Sequence, residues 1–146
     1  MACPTGQSCS NGACAVDMTN TSGLWDIVLI DGEVDLYDYD FSTPPDAYLD
    51  VYFQDPATQI TYLFSTYEDF DTYSPVWNET IEAVPTDFVL NGFVFEMWDY
   101  DDFSGDDAIC TLTAVPTMAD LGGPIMTTVC TEYPTVQVRW KIVAHP

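Results

Sequence analysis

Residues 98–109 read W-D-Y-D-D-F-S-G-D-D-A-I, so that Asp99, Asp101, Asp102, Asp106 and Asp107 crowd around a single phenylalanine, Phe103. A second acidic stretch, D-L-Y-D-Y-D-F-S-T-P-P-D, fills residues 35–46 and sets Phe41 beside Asp40. Carboxylates drawn together cannot all stay ionised without a compensating cation. Calcium suits such a set, because it takes about 6–8 oxygen ligands in flexible geometry, whereas magnesium demands a stricter octahedron and keeps its waters. An EF-hand loop starting at Asp99 needs glycine at its sixth position and glutamate at its twelfth. Ser104 and Cys110 stand there instead, which excludes that motif. The plain alternative is a solvated acidic face, since the formal net charge of −22 makes acidic runs common throughout the chain.

The elements that must position these residues are strands. L-W-D-I-V-L-I (24–30) reads as a buried strand, and in 47–53 Ala47, Leu49, Val51 and Phe53 alternate with Tyr48, Asp50 and Tyr52. Residues 60–66 and 77–84 follow. Residues 88–98 then form an apolar pattern interrupted at Asn91-Gly92, with Phe93, Phe95 and Met97 on one face. Weaker strand patterns cover 108–115 and 125–130. In 135–144, Val136, Val138, Trp140 and Ile142 oppose Thr135, Gln137, Arg139 and Lys141. No segment keeps a period of 3.6. About eight such strands predict an all-β fold, an eight-stranded antiparallel Greek-key β-sandwich. The acidic stretches fall between the first and second strands and between the fifth and sixth. In a Greek key such loops gather at one end, which would assemble Asp40, Asp46, Asp99, Asp101 and Asp107.

The chain has 146 residues, enough for one domain with a sizeable core. A hydrophobic fraction of 47% argues against disorder. With 24 acids against two bases, Arg139 and Lys141, nucleic acid is excluded as a partner, and an anionic membrane repels the protein unless a cation intervenes. No apolar run approaches the roughly 20 residues that span a bilayer. No signal peptide is visible, and Met1-Ala2 directly before a cysteine is what an initiator set on a mature or truncated chain would give. Residues 1–22 form a Cys-rich, turn-rich N-terminal arm before a sandwich domain at 23–146. Cys3, Cys9 and Cys14 lie there among Gly, Pro, Ser and Asn, a composition that holds shape only through bridges and points to a secreted or cell-surface protein. The five cysteines lack C-x-x-C spacing, which argues against zinc.

Three segments, in order and with compatible lengths between them, resemble the C2 domain family, calcium- and phospholipid-binding modules of the kind found in protein kinase C and synaptotagmin. D-F-S-T-P-P-D-A-Y-L-D-V-Y-F (40–53) is similar to the first calcium loop and its outgoing strand, with Asp40 and Asp46 six apart. S-P-V-W-N-E-T (74–80) is similar to the family's N-P-V-W-N-E-T strand signature. D-Y-D-D-F-S-G-D-D-A-I-C (99–110) is similar to the third calcium loop, with aspartates at relative positions 0, 2 and 8 and a serine at 5. The resemblance covers roughly residues 24–144. It implies that Asp40, Asp46, Asp99, Asp101, Asp107 and Ser104 bind two or three calcium ions, helped by backbone carbonyls near Tyr39 and Tyr100. Asp38, Asp102 and Asp106 are then neighbours that deepen the negative potential.

The same resemblance places Phe103 and Phe41 at loop tips, as residues that dip into a phospholipid membrane once calcium neutralises the surrounding acids. It makes the domain a peripheral membrane module, monomeric and part of a larger or surface-attached protein. A full C-terminal strand favours the phospholipase-C-like circular arrangement. Cys110 replaces the glycine common after the third loop, and a Cys110–Cys130 disulfide would close a loop of about 20 residues. The family's concave lysines are missing from 61–71, which speaks against phosphoinositide specificity.

An enzyme is disfavoured. The one histidine, His145, is penultimate, and the Asp spacing has a better account than a glycosidase-like pair. N-E-T (78–80) and N-T-S (20–22) also fit the glycosylation acceptor pattern, though for Asn78 the strand signature is the better reading. The main rival is an extracellular adhesion or interaction module that calcium stabilises without membrane contact. Two others are a metal-free scaffold whose acids serve solubility and a small hydrolase.

Overall fold

Where apolar and polar side chains alternate, strands form, and the apolar set of each turns inward. The computed structural model describes residues 7–10, 13–16, 23–35 and 43–146. Its elements are β1 (Gln7–Ser10), β2 (Ala13–Val16), β3 (Leu24–Glu33), β4 (Ala47–Gln54), β5 (Thr61–Ser65), β6 (Val76–Pro85), α1 (Thr86–Asn91), β7 (Phe93–Asp99), β8 (Asp107–Ala114), β9 (Met126–Val129) and β10 (Gln137–Ala144). Strands β3 to β10 make two antiparallel four-stranded sheets, ordered β6-β3-β10-β9 and β5-β4-β7-β8. The C-terminal strand β10 lies between β3 and β9, a central place filled from the far end of the chain. The N-terminal arm contains a separate hairpin, β1 with β2, in which Cys9 stands opposite Cys14. Sequence patterning did not indicate these strands, although Asn11-Gly12 between them is a tight-hairpin signal.

The core is the layer between the sheets. Val136, Val138, Trp140 and Ile142 are buried from one side, Leu49, Val51, Phe93, Phe95 and Met97 from the other. Trp140 meets the edges of Phe93 and Phe95 with ring centroids 5.6 and 5.3 Å apart. Three core indoles find acceptors: Trp25 Nε1 donates to Thr86 Oγ1 at 2.8 Å, Trp77 Nε1 to the Ala47 carbonyl at 3.1 Å and Trp140 Nε1 to Thr128 Oγ1 at 2.9 Å.

Two departures from simple alternation shape the frame. Strand β6 carries two residues in the left-handed region, Asn78 (φ 49°) and Ala83 (φ 58°). They fall where its register against β3 slips, between the pairs Trp25↔Val84 and Ile27↔Ile81 and between Leu29↔Glu79 and Asp31↔Val76. Each slip inserts an extra β6 residue, a bulge that increases local twist. The second departure corrects the reading of 88–98 as one interrupted strand. Residues 86–91 are a short helix that starts after Pro85, buries Val89 and ends at Gly92. Gly92 has φ 101°, and a Cβ there would meet the Ala114 carbonyl oxygen at 2.9 Å, so the helix-to-β7 corner requires glycine.

Cys110 on β8 and Cys130 just beyond β9 are joined by a disulfide, which ties the adjoining edges of the two sheets. The closed loop spans a sequence separation of 20 residues. Replacing both cysteines with serine is expected to cost about 3 kcal/mol by the chain-entropy relation, read as a lower urea midpoint, with a steeper slope as the unfolded chain expands.

Candidate metal centre

Strand β7 supplies the central residue. Its inward row runs Phe93, Phe95, Met97, Asp99, so the position that continues the apolar layer is a carboxylate. Asp99 has no exposed surface. In register it lies between Ala47, the first residue of β4, and Asp107, the first residue of β8. Its Oδ1 accepts the Asp46 N–H at 2.7 Å, whereas Oδ2 is buried with no hydrogen-bond partner among the described residues. A buried carboxylate oxygen without a donor costs free energy that a bound cation would offset.

Asp46 immediately precedes β4 and is half-buried. The Asp71 N–H donates to its Oδ1 at 2.7 Å, and its carbonyl accepts the Tyr100 N–H at 3.1 Å. Asp101 is half-buried and its N–H donates to Asp106 Oδ1 at 3.1 Å. Asp107 and Ser104 are exposed. Phe103 is fully exposed at the outer end of this loop. Asp40, Phe41, Asp38 and Tyr39 lie outside the described residues.

Two residues enter the site in ways that spacing does not reveal. Asp106 is drawn back onto β4: Tyr48 Oη donates to its Oδ2 at 2.7 Å, so it, more than the exposed Asp107, is built into the framework. The segment 67–76, read from sequence as a connecting loop, runs beside the site. Asp69 bridges to Ala47, Thr72 N–H reaches the Pro45 carbonyl at 3.1 Å, and Asp71 sits against Asp46. The acidic run Y-E-D-F-D (67–71) was the available signal for Asp71.

Burial raises the Asp99 pKa to about 6, and Asp101, Asp46 and Asp107 add repulsion in the same direction. Asp46 is also raised, by burial first and then by Asp71, Asp102 and Asp101. Burial and the bond to Asp106 likewise push the Tyr48 hydroxyl up. Among the described residues no three metal-binding side chains are grouped to hold an ion as the loops lie.

The raised Asp99 pKa has a definite sign. Folded protein takes up a proton here before unfolded protein does, so this group stabilises at low pH and its contribution is lost as pH rises through about 6. Chelator-stripped protein should therefore melt at a higher temperature at pH 5 than at pH 7, and Asp99→Asn should flatten that dependence in thermal scans.

The C2 domain family model matches residues 28–122. No curated protein matches the chain by sequence. Among solved structures, CC2D1B, described as coordinating ESCRT-III activity during mitotic reformation of the nuclear envelope, superposes with TM-score 0.69 at 19% identity. That match covers 98% of this chain and 64% of the other. The C2A domain of plant extended synaptotagmin 1 gives TM-score 0.67 at 12% identity, over 86% of this chain and 95% of that one. Human GIVD cytosolic phospholipase A2 gives 0.63 at 19%, over 83% of this chain and 16% of the enzyme. The chain thus spans less than two thirds of the first of these relatives and a small part of the phospholipase. With a family model matched over most of its length and a sandwich that superposes on solved members, the chain belongs to the C2 domain family.

Proposed function

We propose that this chain is a calcium-binding module that docks on phospholipid membranes through its acidic loops. The observation that carries the reading is Asp99, a wholly buried carboxylate with an unpartnered oxygen, set among Asp46, Asp101 and Asp107. Asp40, Asp46, Asp99, Asp101 and Asp107 would hold two or three ions, with Ser104 as a further ligand and Asp71 adding charge beside Asp46. Bound calcium would neutralise these carboxylates and offer its remaining coordination positions to lipid phosphates. Phe103 supports the membrane reading, being fully exposed on a loop whose charge otherwise keeps lipid away. We also infer an oxidising location, secreted or cell-surface, from the Cys110–Cys130 disulfide, although one structural neighbour is named as cytosolic.

Calorimetric titration of calcium into chelator-stripped protein should show saturable binding of two or three ions, with magnesium weaker. Asp99→Asn combined with Asp101→Asn should abolish it, and absence of binding in the unaltered chain at millimolar calcium would remove the reading.

Vesicle co-sedimentation tests the second half. Phe103→Ser should weaken calcium-dependent sedimentation about tenfold or more, as expected for losing about 1.5–3 kcal/mol of side-chain burial. Phe41→Ser added to it should deepen the loss. Calcium binding without sedimentation would favour an interaction module that the ion merely stabilises.

A further inference from the structure

Four strands border the two sheets, and among the described residues three of them are protected. Strand β6 carries Glu79 and Glu82 and is twice bulged at left-handed residues. Strands β8 and β9 are tied by the Cys110–Cys130 disulfide, and β9 has only four residues. Such charges, bulges and short lengths are how sheets avoid pairing with other chains. Strand β5, T-Y-L-F-S, has none of them: no charge, no proline, and an unbroken register with β4.

Its outer edge is open. The Asp55 N–H donates to the Ile60 carbonyl at 3.0 Å and the Thr66 N–H to the Leu49 carbonyl at 2.9 Å, so even-numbered residues direct their backbone groups to β4. By the alternation of an antiparallel ladder, Thr61, Leu63 and Ser65 direct theirs away from it. Around that edge Ile60, Leu63 and Tyr67 are 53%, 55% and 80% exposed.

The surrounding charge selects the occupant. On the outward sheet face Ser65, Asp50 and Glu96 are register neighbours, so two acids stand side by side without an intervening base. Ser65 Oγ donates to Asp50 Oδ1 at 2.5 Å, and Glu79 accepts the Tyr67 N–H at 2.8 Å at the end of the strand. Both bases of the chain, Arg139 and Lys141, lie on β10 in the other sheet, and Arg139 is paired with Asp31. A second copy would bring its own acids to the same place and be repelled.

We propose that β5 accepts an added strand, and that its occupant is an extended basic and apolar segment of a partner protein. An apolar side chain of that segment would lie beside Leu63. Two residues along, on the same face, a lysine or arginine would lie beside Ser65, directed at Asp50 and Glu96. Backbone pairing supplies affinity in this mode and the alternate side chains supply selection.

The test uses the isotope-labelled chain at physiological ionic strength, where surface charge is screened beyond about 8 Å. A short synthetic peptide that repeats valine-threonine-lysine-threonine, which sets valine and lysine two residues apart on one face of a strand, is the probe, and the same peptide with glutamate in place of lysine is the control. Amide hydrogen exchange of Thr61, Leu63 and Ser65 should slow with the lysine peptide only. Leu63→Pro removes an outward N–H at an edge position that tolerates proline, and should weaken binding about tenfold. Protection of Tyr62 and Phe64 should persist in that variant. Asp50→Asn with Glu96→Gln should erase the preference for lysine over glutamate. Unchanged exchange at millimolar peptide overturns the proposal, as does equal protection by both peptides. Sedimentation as a dimer that Leu63→Pro disperses would also overturn it, by making the occupant a second copy.

Discussion

Everything at the acidic end of this domain depends on a carboxylate placed where the core calls for an apolar side chain. Strand β7 presents Phe93, Phe95 and Met97 to the inter-sheet layer and then, at the next inward position, Asp99. The register that packs the three apolar residues leaves Asp99 no other direction, because shifting it outward by one residue would turn the whole row to solvent. The burial of this acid is therefore enforced by the hydrophobic effect acting on its strand neighbours. Its raised pKa and its unpartnered oxygen are the same constraint seen electrostatically.

The frame around it answers to that demand. Strands β4 and β8 begin level with Asp99, so Asp46 and Asp107 arrive from both sides as a matter of register. The Asp46 N–H satisfies one carboxylate oxygen, and Asp71 and Tyr100 hold Asp46 in turn. Tyr48 and Asp106 brace the neighbouring turn from the outer face. None of these contacts neutralises charge; they only fix where the charges stand. A cation completes such a set in a way that further hydrogen bonds do not.

Much of the sandwich is legible in the sequence, and the reasons differ by segment. Strand β10 is plain because Val136, Val138, Trp140 and Ile142 are all buried against a polar opposite face. Helix α1 is not, since Phe88, Val89 and Leu90 in six residues fit either period, and Pro85 and Gly92 decide the outcome through backbone limits. The N-terminal hairpin lacks the apolar alternation that marks a strand. Within the site, spacing singles out Asp46, Asp99 and Asp101, but the placement of Asp106 depends on a hydroxyl 58 residues away in the chain. Asp71 is similarly hidden, because contact between loops from different hairpins leaves no trace in local spacing.

The disulfide has a bearing on the acidic loop that its place at the sheet edge does not advertise. Cys110 lies three residues past Asp107, on the strand that carries the chain out of that loop. Because β8 is clamped covalently to the end of β9, the outgoing limb of the loop is held at a fixed station, and its motion is confined to residues between two anchored points. A ligand that orders the loop then has fewer conformations to remove, so the crosslink acts at a distance as a device of preorganisation.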